Sequence, residues 1–171
     1  MITIKEYGLV YNYSSTEGIK KVTFFSFSNE GGNVVDYAFN NDTTFAVAIQ
    51  NKVNFYRIGS GEFISIGTYT NNNDDILGIT FVHDNVIAIL EEGDNLVFYR
   101  INEDFDDNYI IPSNYSLEGV FEIKHANKLL YFVGKDDSDN YFYSYYVIVG
   151  NLSKLTDSDE IGLKLVREVT D

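Results

Sequence analysis

Three observations predict an all-β protein, a β-propeller-like array of about four four-stranded blades. Aromatic and β-branched residues dominate the apolar positions, with 14 Tyr and 13 Phe in 171 residues and no long helical periodicity. One tetrapeptide, Phe55-Tyr56-Arg57-Ile58, recurs 43 residues later as Phe98-Tyr99-Arg100-Ile101. Short apolar runs bounded by Asn- and Asp-containing turns return at the same interval, which is the length of one propeller blade.

Within a blade, strand a lies at the channel and strand d at the rim. Residues 34–39, 76–81 and 118–123 read as a strands, ending in Phe39, Phe81 and Ile123. Polar turns follow at 40–42, 82–85 and 124–127, where Asn and Asp side chains bond nearby backbone and tolerate left-handed geometry. The apolar runs 45–49, 86–90 and 129–133 are b strands. The c strands are 53–58, 96–101 and 143–148. Val53, Leu96 and Tyr143 share one repeat position, and Phe55, Phe98 and Tyr145 another. Their period-two spacing puts these side chains on one face, where blades stack. The weaker d strands are 63–69, about 109–111, and 161–169; Pro112 suits an edge that needs no backbone donor there.

Stepping back one repeat from residues 33–73 places residues 2–8 on strand b, 8–14 on c and 19–27 on d. The chain is therefore expected to form a single propeller-like domain, with a partial blade at 1–32 and blades at 33–73, 74–116 and 117–171. The first blade lacks its inner strand. An uncovered blade face forgoes roughly 25 cal/mol per Å² of apolar burial, and an unpaired edge invites another strand. These considerations mark Ile2, Ile4, Leu9, Tyr11 and Tyr13 as candidate partner-binding residues at the opening blade. In the last blade Tyr141, Tyr143 and Tyr145 share a face opposite Phe142 and Tyr146, and form a second candidate surface. A β-sandwich with similar strand spacing is the alternative architecture.

The turns and c strands together resemble degenerate WD-repeat propellers over nearly the whole chain. Phe39-Asn40-Asn41-Asp42 and Phe81-Val82-His83-Asp84 look like the family's a–b turn, and Tyr56, Tyr99 and Tyr146 fall at its Trp position. Arg57, Arg100 and Val147 stand where the family carries Asp, and no Gly-His pair precedes strand a. The resemblance implies a non-enzymatic protein–protein interaction or scaffold subunit. Its partner is expected to be another protein, or a further copy of the chain, that completes the open propeller. The alternative function is a ligand-binding or viral structural or attachment module, a lectin-like oligomeric propeller.

The net charge of −14, with 12 Lys and Arg against 26 Asp and Glu, disfavours neutralisation of a nucleic-acid backbone. The absence of Cys excludes disulfides and thiolate metal sites. No apolar run reaches the length of a membrane-spanning helix, and the first residues lack a secretory apolar core. The expectation is an intracellular, cytoplasmic protein without membrane or nucleic-acid partners.

Catalytic chemistry finds little purchase. His83 and His125 are expected at equivalent a–b turns of different blades, not as a pair. No Gly-x-Ser-x-Gly nucleophile sequence occurs. The acidic loops 104–108 and 136–140 lack the Gly and distal Glu of a calcium-binding EF-hand, so they read as solvated loops. Glu91 and Glu92 are adjacent in a strand or hairpin and point apart. No catalytic, metal or cofactor site is expected.

Overall fold

The computed structural model describes residues 7–14, 18–26, 32–40, 44–59, 62–93, 95–101, 108–110, 117–150, 152 and 162–170. These form strands joined by turns. A first sheet holds β1 (Tyr7–Ser14) and β2 (Gly18–Ser26). The second contains β3 (Val34–Phe39), β4 (Thr44–Ile49), β5 (Lys52–Gly59) and β6 (Glu62–Thr70). The third contains β7 (Ile76–His83), β8 (Val86–Glu91), β9 (Asn95–Arg100) and β10 (Asn108–Ile110). The fourth contains β11 (Val120–Ala126), β12 (Leu129–Lys135), β13 (Tyr141–Val149) and β14 (Gly162–Thr170).

Every sheet is an antiparallel meander whose neighbours in space are neighbours in sequence. Among the described residues no strand crosses to another sheet, so the sandwich alternative, which needs such crossings, is set aside. Strands β3, β7 and β11 begin their sheets and lie against one another, as inner strands do around a propeller channel. Asp36 ties them together. Its Oδ2 accepts the Ile79 backbone N–H at 3.0 Å and lies 3.2 Å from Lys124 Nζ, joining β3 to both β7 and β11. Gly78 makes room for this contact, since a Cβ there would sit 3.1 Å from Ile123 Cγ2 and 3.6 Å from Asp36 Oδ2.

The sheets pack face to face through two buried cores. Ala46, Ala48, Val53 and Phe55 of the second sheet share one core with Ile79, Phe81, Ile87, Ile89, Val97 and Tyr99 of the third. The opposite face of the third sheet contributes Ala88, Leu90, Leu96 and Phe98 to another, with Ile123, Leu130 and Phe132 of the fourth. The repeated tetrapeptide is the zipper of the first core: Phe55 stacks on Tyr99 with centroids 5.1 Å apart and planes at 2°. Phe98 faces onward to the fourth sheet, sharing its core with Tyr146. Tyr99 and Tyr146 thus face the preceding sheet, and Phe55 and Phe98 the following one.

Two expectations require correction. The third a strand runs from Val120 to Ala126 instead of 118–123. Glu118 and Gly119 form a turn, in which Gly119 has φ +74° and its carbonyl accepts the Lys135 N–H at 3.0 Å. A Cβ at Gly119 would strike the Lys135 carbonyl oxygen.

The histidines also lie in strands, His83 closing β7 and His125 within β11. The turns beyond them are Asp84-Asn85 and Asn127-Lys128, the latter with φ of 53° and 66°. Pairing shows that they are not repeat equivalents. His125 lies opposite Leu130 as Phe81 lies opposite Ile87 and Phe39 opposite Phe45, whereas His83 is two residues beyond Phe81. The third repeat carries extra length before strand a and a shorter turn after it, which offsets the equivalence by two residues.

In the first sheet, β1 pairs with β2 from Tyr7 opposite Ser26 to Ser14 opposite Gly18. A register shift occurs between Val10 and Tyr11. The expected b strand at 2–8 lies outside the described residues except for Tyr7 and Gly8, which open β1.

Candidate functional site

Strand alternation places the tyrosines of β13. Phe142, Tyr146 and Ile148 turn towards the core shared with the third sheet, and Ser144 between them is buried. Tyr141, Tyr143 and Tyr145 therefore share the opposite face, with Val147 and Val149. Cross-strand partners extend this surface: Tyr131 opposite Tyr145, Val133 opposite Tyr143, Leu129 opposite Val147, and Val169 opposite Tyr143 on the other side. Tyr131 and Tyr145 meet edge to face at 5.2 Å, and Phe121 and Tyr141 at 6.3 Å. Lys135 Nζ sits 5.0 Å from the Tyr141 ring centroid and 2.7 Å from Asp139.

Repeat equivalence gives this face its meaning. Tyr143 stands where Val53 and Leu96 stand, and Tyr145 where Phe55 and Phe98 stand. Those four are buried at 4% exposure or less between consecutive sheets. Tyr143 and Tyr145 are only partly covered, and Tyr141 is 44% exposed. The face thus carries blade-stacking positions that stand partly open.

The other candidates fare differently. Leu9, Tyr11 and Tyr13 lie on alternate positions of β1, opposite Phe24, Lys21 and Ile19 of β2. Ile2 and Ile4 fall outside the described residues. The structure thus brings Tyr141, Tyr143 and Tyr145 onto one surface, and places three opening-blade residues on one strand.

Sequence reasoning missed two features. Glu91, at the end of β8, is buried at 4% and accepts a 2.6 Å hydrogen bond from the Tyr69 hydroxyl of β6. Burial holds the Glu91 carboxyl above the usual carboxylate range; hydrogen bonds from Tyr69 and Asn71 pull it down, and Asp74 pushes it up. The Tyr69 hydroxyl is also raised, by burial first and then by Glu91. This pair fastens the second sheet to the third.

The second feature is on β3, where Tyr37 is 64% exposed and Phe39 51%. The only signal for it in the sequence is Tyr37, where the later repeats carry Ile79 and Ile123.

Other polar groups are occupied by the fold. Asp136 Oδ1 accepts backbone N–H bonds from Ser138 and Asn140, both 2.9 Å, and Oδ2 accepts from the Asn140 amide at 3.2 Å. These bonds hold its carboxyl below the usual range and close the loop on itself. The His125 ring is pushed below the usual His range by burial, partly offset by a hydrogen bond to the Phe81 backbone. No group of three or more His, Asp or Glu suited to a metal occurs among the described residues. Nor is any helix there long and apolar enough to cross a membrane.

No protein-family model matches the sequence, and no curated protein does. Solved structures do match in shape. The β-propeller domain of Cps50 (Swd1) from Myceliophteria thermophila superposes with a TM-score of 0.63 at 13% identity, over 95% of this chain and 54% of that one. The WD40 repeats of RRP9 give 0.54 at 12% identity, over 79% and 41%. The structure of U3-55K gives 0.56 at 10% identity, over 91% and 45%. The fold is a WD-repeat-like β-propeller. The chain spans about half the length of these propellers.

Proposed function

We propose that the chain is a non-enzymatic protein-interaction subunit whose last blade docks a partner protein through Tyr141, Tyr143 and Tyr145. One observation carries this reading: Tyr143 and Tyr145 hold blade-stacking positions that are buried in both preceding repeats and stand partly open here. Val53, Phe55, Leu96 and Phe98 at the equivalent positions pack sheet against sheet within the chain, so the chemistry of the surface is that of an interface core. Tyrosines suit this role because they bring large contact area and a polar tip at low conformational cost. In this reading the opening blade, with Leu9, Tyr11 and Tyr13 on β1, supplies the second end of the same incomplete arc.

The test is affinity purification of the chain from its source, as wild type and as Tyr143→Ser/Tyr145→Ser. A stoichiometric partner present with wild type and absent with the double variant supports the proposal. The same partner recovered equally with both rules this surface out.

A further inference from the structure

The two sheet–sheet interfaces inside the chain define what should cover an inner strand. Hairpin register makes Tyr37, Ile79 and Ile123 equivalent: they lie opposite Val47, Ile89 and Phe132 in their own sheets. Ile79 is 1% exposed and Ile123 0%, each covered by the sheet before it, whereas Tyr37 is 64% exposed. Phe39 and Phe81 are likewise equivalent, at 51% and 8%. The difference is confined to the inner strand. Behind it, Phe45, Val47, Ile49 and Tyr56 on the same face of the second sheet are buried at 5% or less.

Phe39 stacks on Phe45 at 5.6 Å, and Phe45 stacks in turn on Tyr56 at 5.2 Å and meets Phe63 edge-on at 5.1 Å. The exposed pair therefore continues a buried aromatic core out to the channel side. A polar clue points the same way. The Ile79 N–H is bonded by Asp36 of the preceding inner strand, while the Tyr37 N–H is bonded by its own neighbour's carboxylate, Asp36 Oδ1, at 2.8 Å.

We infer that Tyr37 and Phe39 form the docking site for an extended β-strand supplied by another polypeptide, carrying small residues at alternate positions. The internal interfaces dictate that pattern. The core that holds Ile79 and Phe81 includes Ala38 of the earlier inner strand and Ala46 and Ala48 beside it, with the larger Val53, Phe55 and Tyr69 further out on the second sheet. The surface met by Ile123 presents Gly78, Thr80 and Ala88 at the matching inner positions. Large residues on a later inner strand sit against small residues on the earlier one. Tyr37 and Phe39 are as bulky as any residue at these positions, so the covering strand needs Ala, Gly, Ser or Thr there. This inference rests on the interaction-subunit reading, and assigns it a second surface at the opposite end of the arc.

The test uses the whole chain and a fluorescein-labelled synthetic peptide with the sequence of residues 33–40, the strand that covers Ile79 and Phe81 within the protein. Anisotropy should rise saturably with wild type. Binding should weaken at least about tenfold for Tyr37→Ser/Phe39→Ser, and also when the peptide's counterpart of Ala38 is replaced by Leu. Circular dichroism checks the fold of the double variant, and Tyr37→Ser alone, at the more exposed position, serves if that variant fails to fold. Tyr143→Ser/Tyr145→Ser should bind the peptide as wild type does, so failure of the last-blade proposal leaves this result intact. The inference is overturned by no saturable binding to wild type, by equal binding to the Tyr37 variants, or by equal affinity for the Leu peptide. It is also overturned if sedimentation shows a dimer of the chain that Tyr37→Ser/Phe39→Ser dissociates, since a second copy then fills the site.

Discussion

At the scale of single residues, the Phe-Tyr pair of the repeated tetrapeptide divides its labour between two interfaces. Phe55 reaches forward to Tyr99 of the next repeat, and the parallel rings 5.1 Å apart fill a core that excludes water. Truncating either ring leaves a cavity in this buried core. Phe55→Ala or Tyr99→Ala should therefore cost about 3–5 kcal/mol in urea unfolding. Tyr143→Ser/Tyr145→Ser, on the open face, should cost about 1 kcal/mol or less. Glu91 makes a second residue-scale prediction. Because folding raises its carboxyl pKa, its contribution to stability is most favourable below the carboxylate range of the unfolded chain and declines as pH rises through the folded value. Glu91→Gln keeps an acceptor for the Tyr69 hydroxyl without acquiring charge. Thermal midpoints measured across acid to neutral pH should shift progressively in favour of Glu91→Gln relative to wild type; a pH-independent difference would contradict the assigned cause.

At the scale of elements, the sequence made the b and c strands legible and blurred the inner ones. The b and c strands alternate or run apolar between Asn- and Asp-rich turns, so β4, β5, β8, β9 and β12 begin within about two residues of their expected positions. The inner strand of the fourth sheet was misplaced because Glu118-Gly119 looks strand-compatible in sequence, while Gly119 in fact turns the chain at φ +74° beneath Lys135. Extra residues there shift the whole hairpin, and this is why the two histidines looked equivalent when they are not. Gly119→Ala should destabilise the fourth sheet by about 2 kcal/mol or more, from left-handed strain plus collision with the Lys135 carbonyl. Hydrogen exchange should show the loss first in the amides of β11 and β12. A uniform loss across all sheets would place the role of this turn elsewhere. Of the candidate surface, the shared face of Tyr141, Tyr143 and Tyr145 followed from period-two spacing alone. Tyr37 and Phe39 did not, because exposure on an inner strand depends on whether a neighbouring sheet covers it, and local pattern carries no record of that.

At the scale of the whole molecule, the described sheets form an arc with two unfinished places. At one end the blade-stacking positions of the last sheet are partly open; at the other, the inner strand of the second sheet projects two aromatic rings towards a place that equivalent residues fill elsewhere. Such surfaces are stable in isolation only at the cost of exposed apolar area, and association relieves that cost. The net charge of −14 opposes non-specific association of such surfaces through self-repulsion. The most direct measurement is light scattering on the chain isolated from its source at micromolar concentration. The expected mass is well above the 19.5 kDa of one chain, and lower, by the loss of the last-blade partner, when Tyr143 and Tyr145 are both replaced by Ser. A stable, compact wild-type monomer would contradict it.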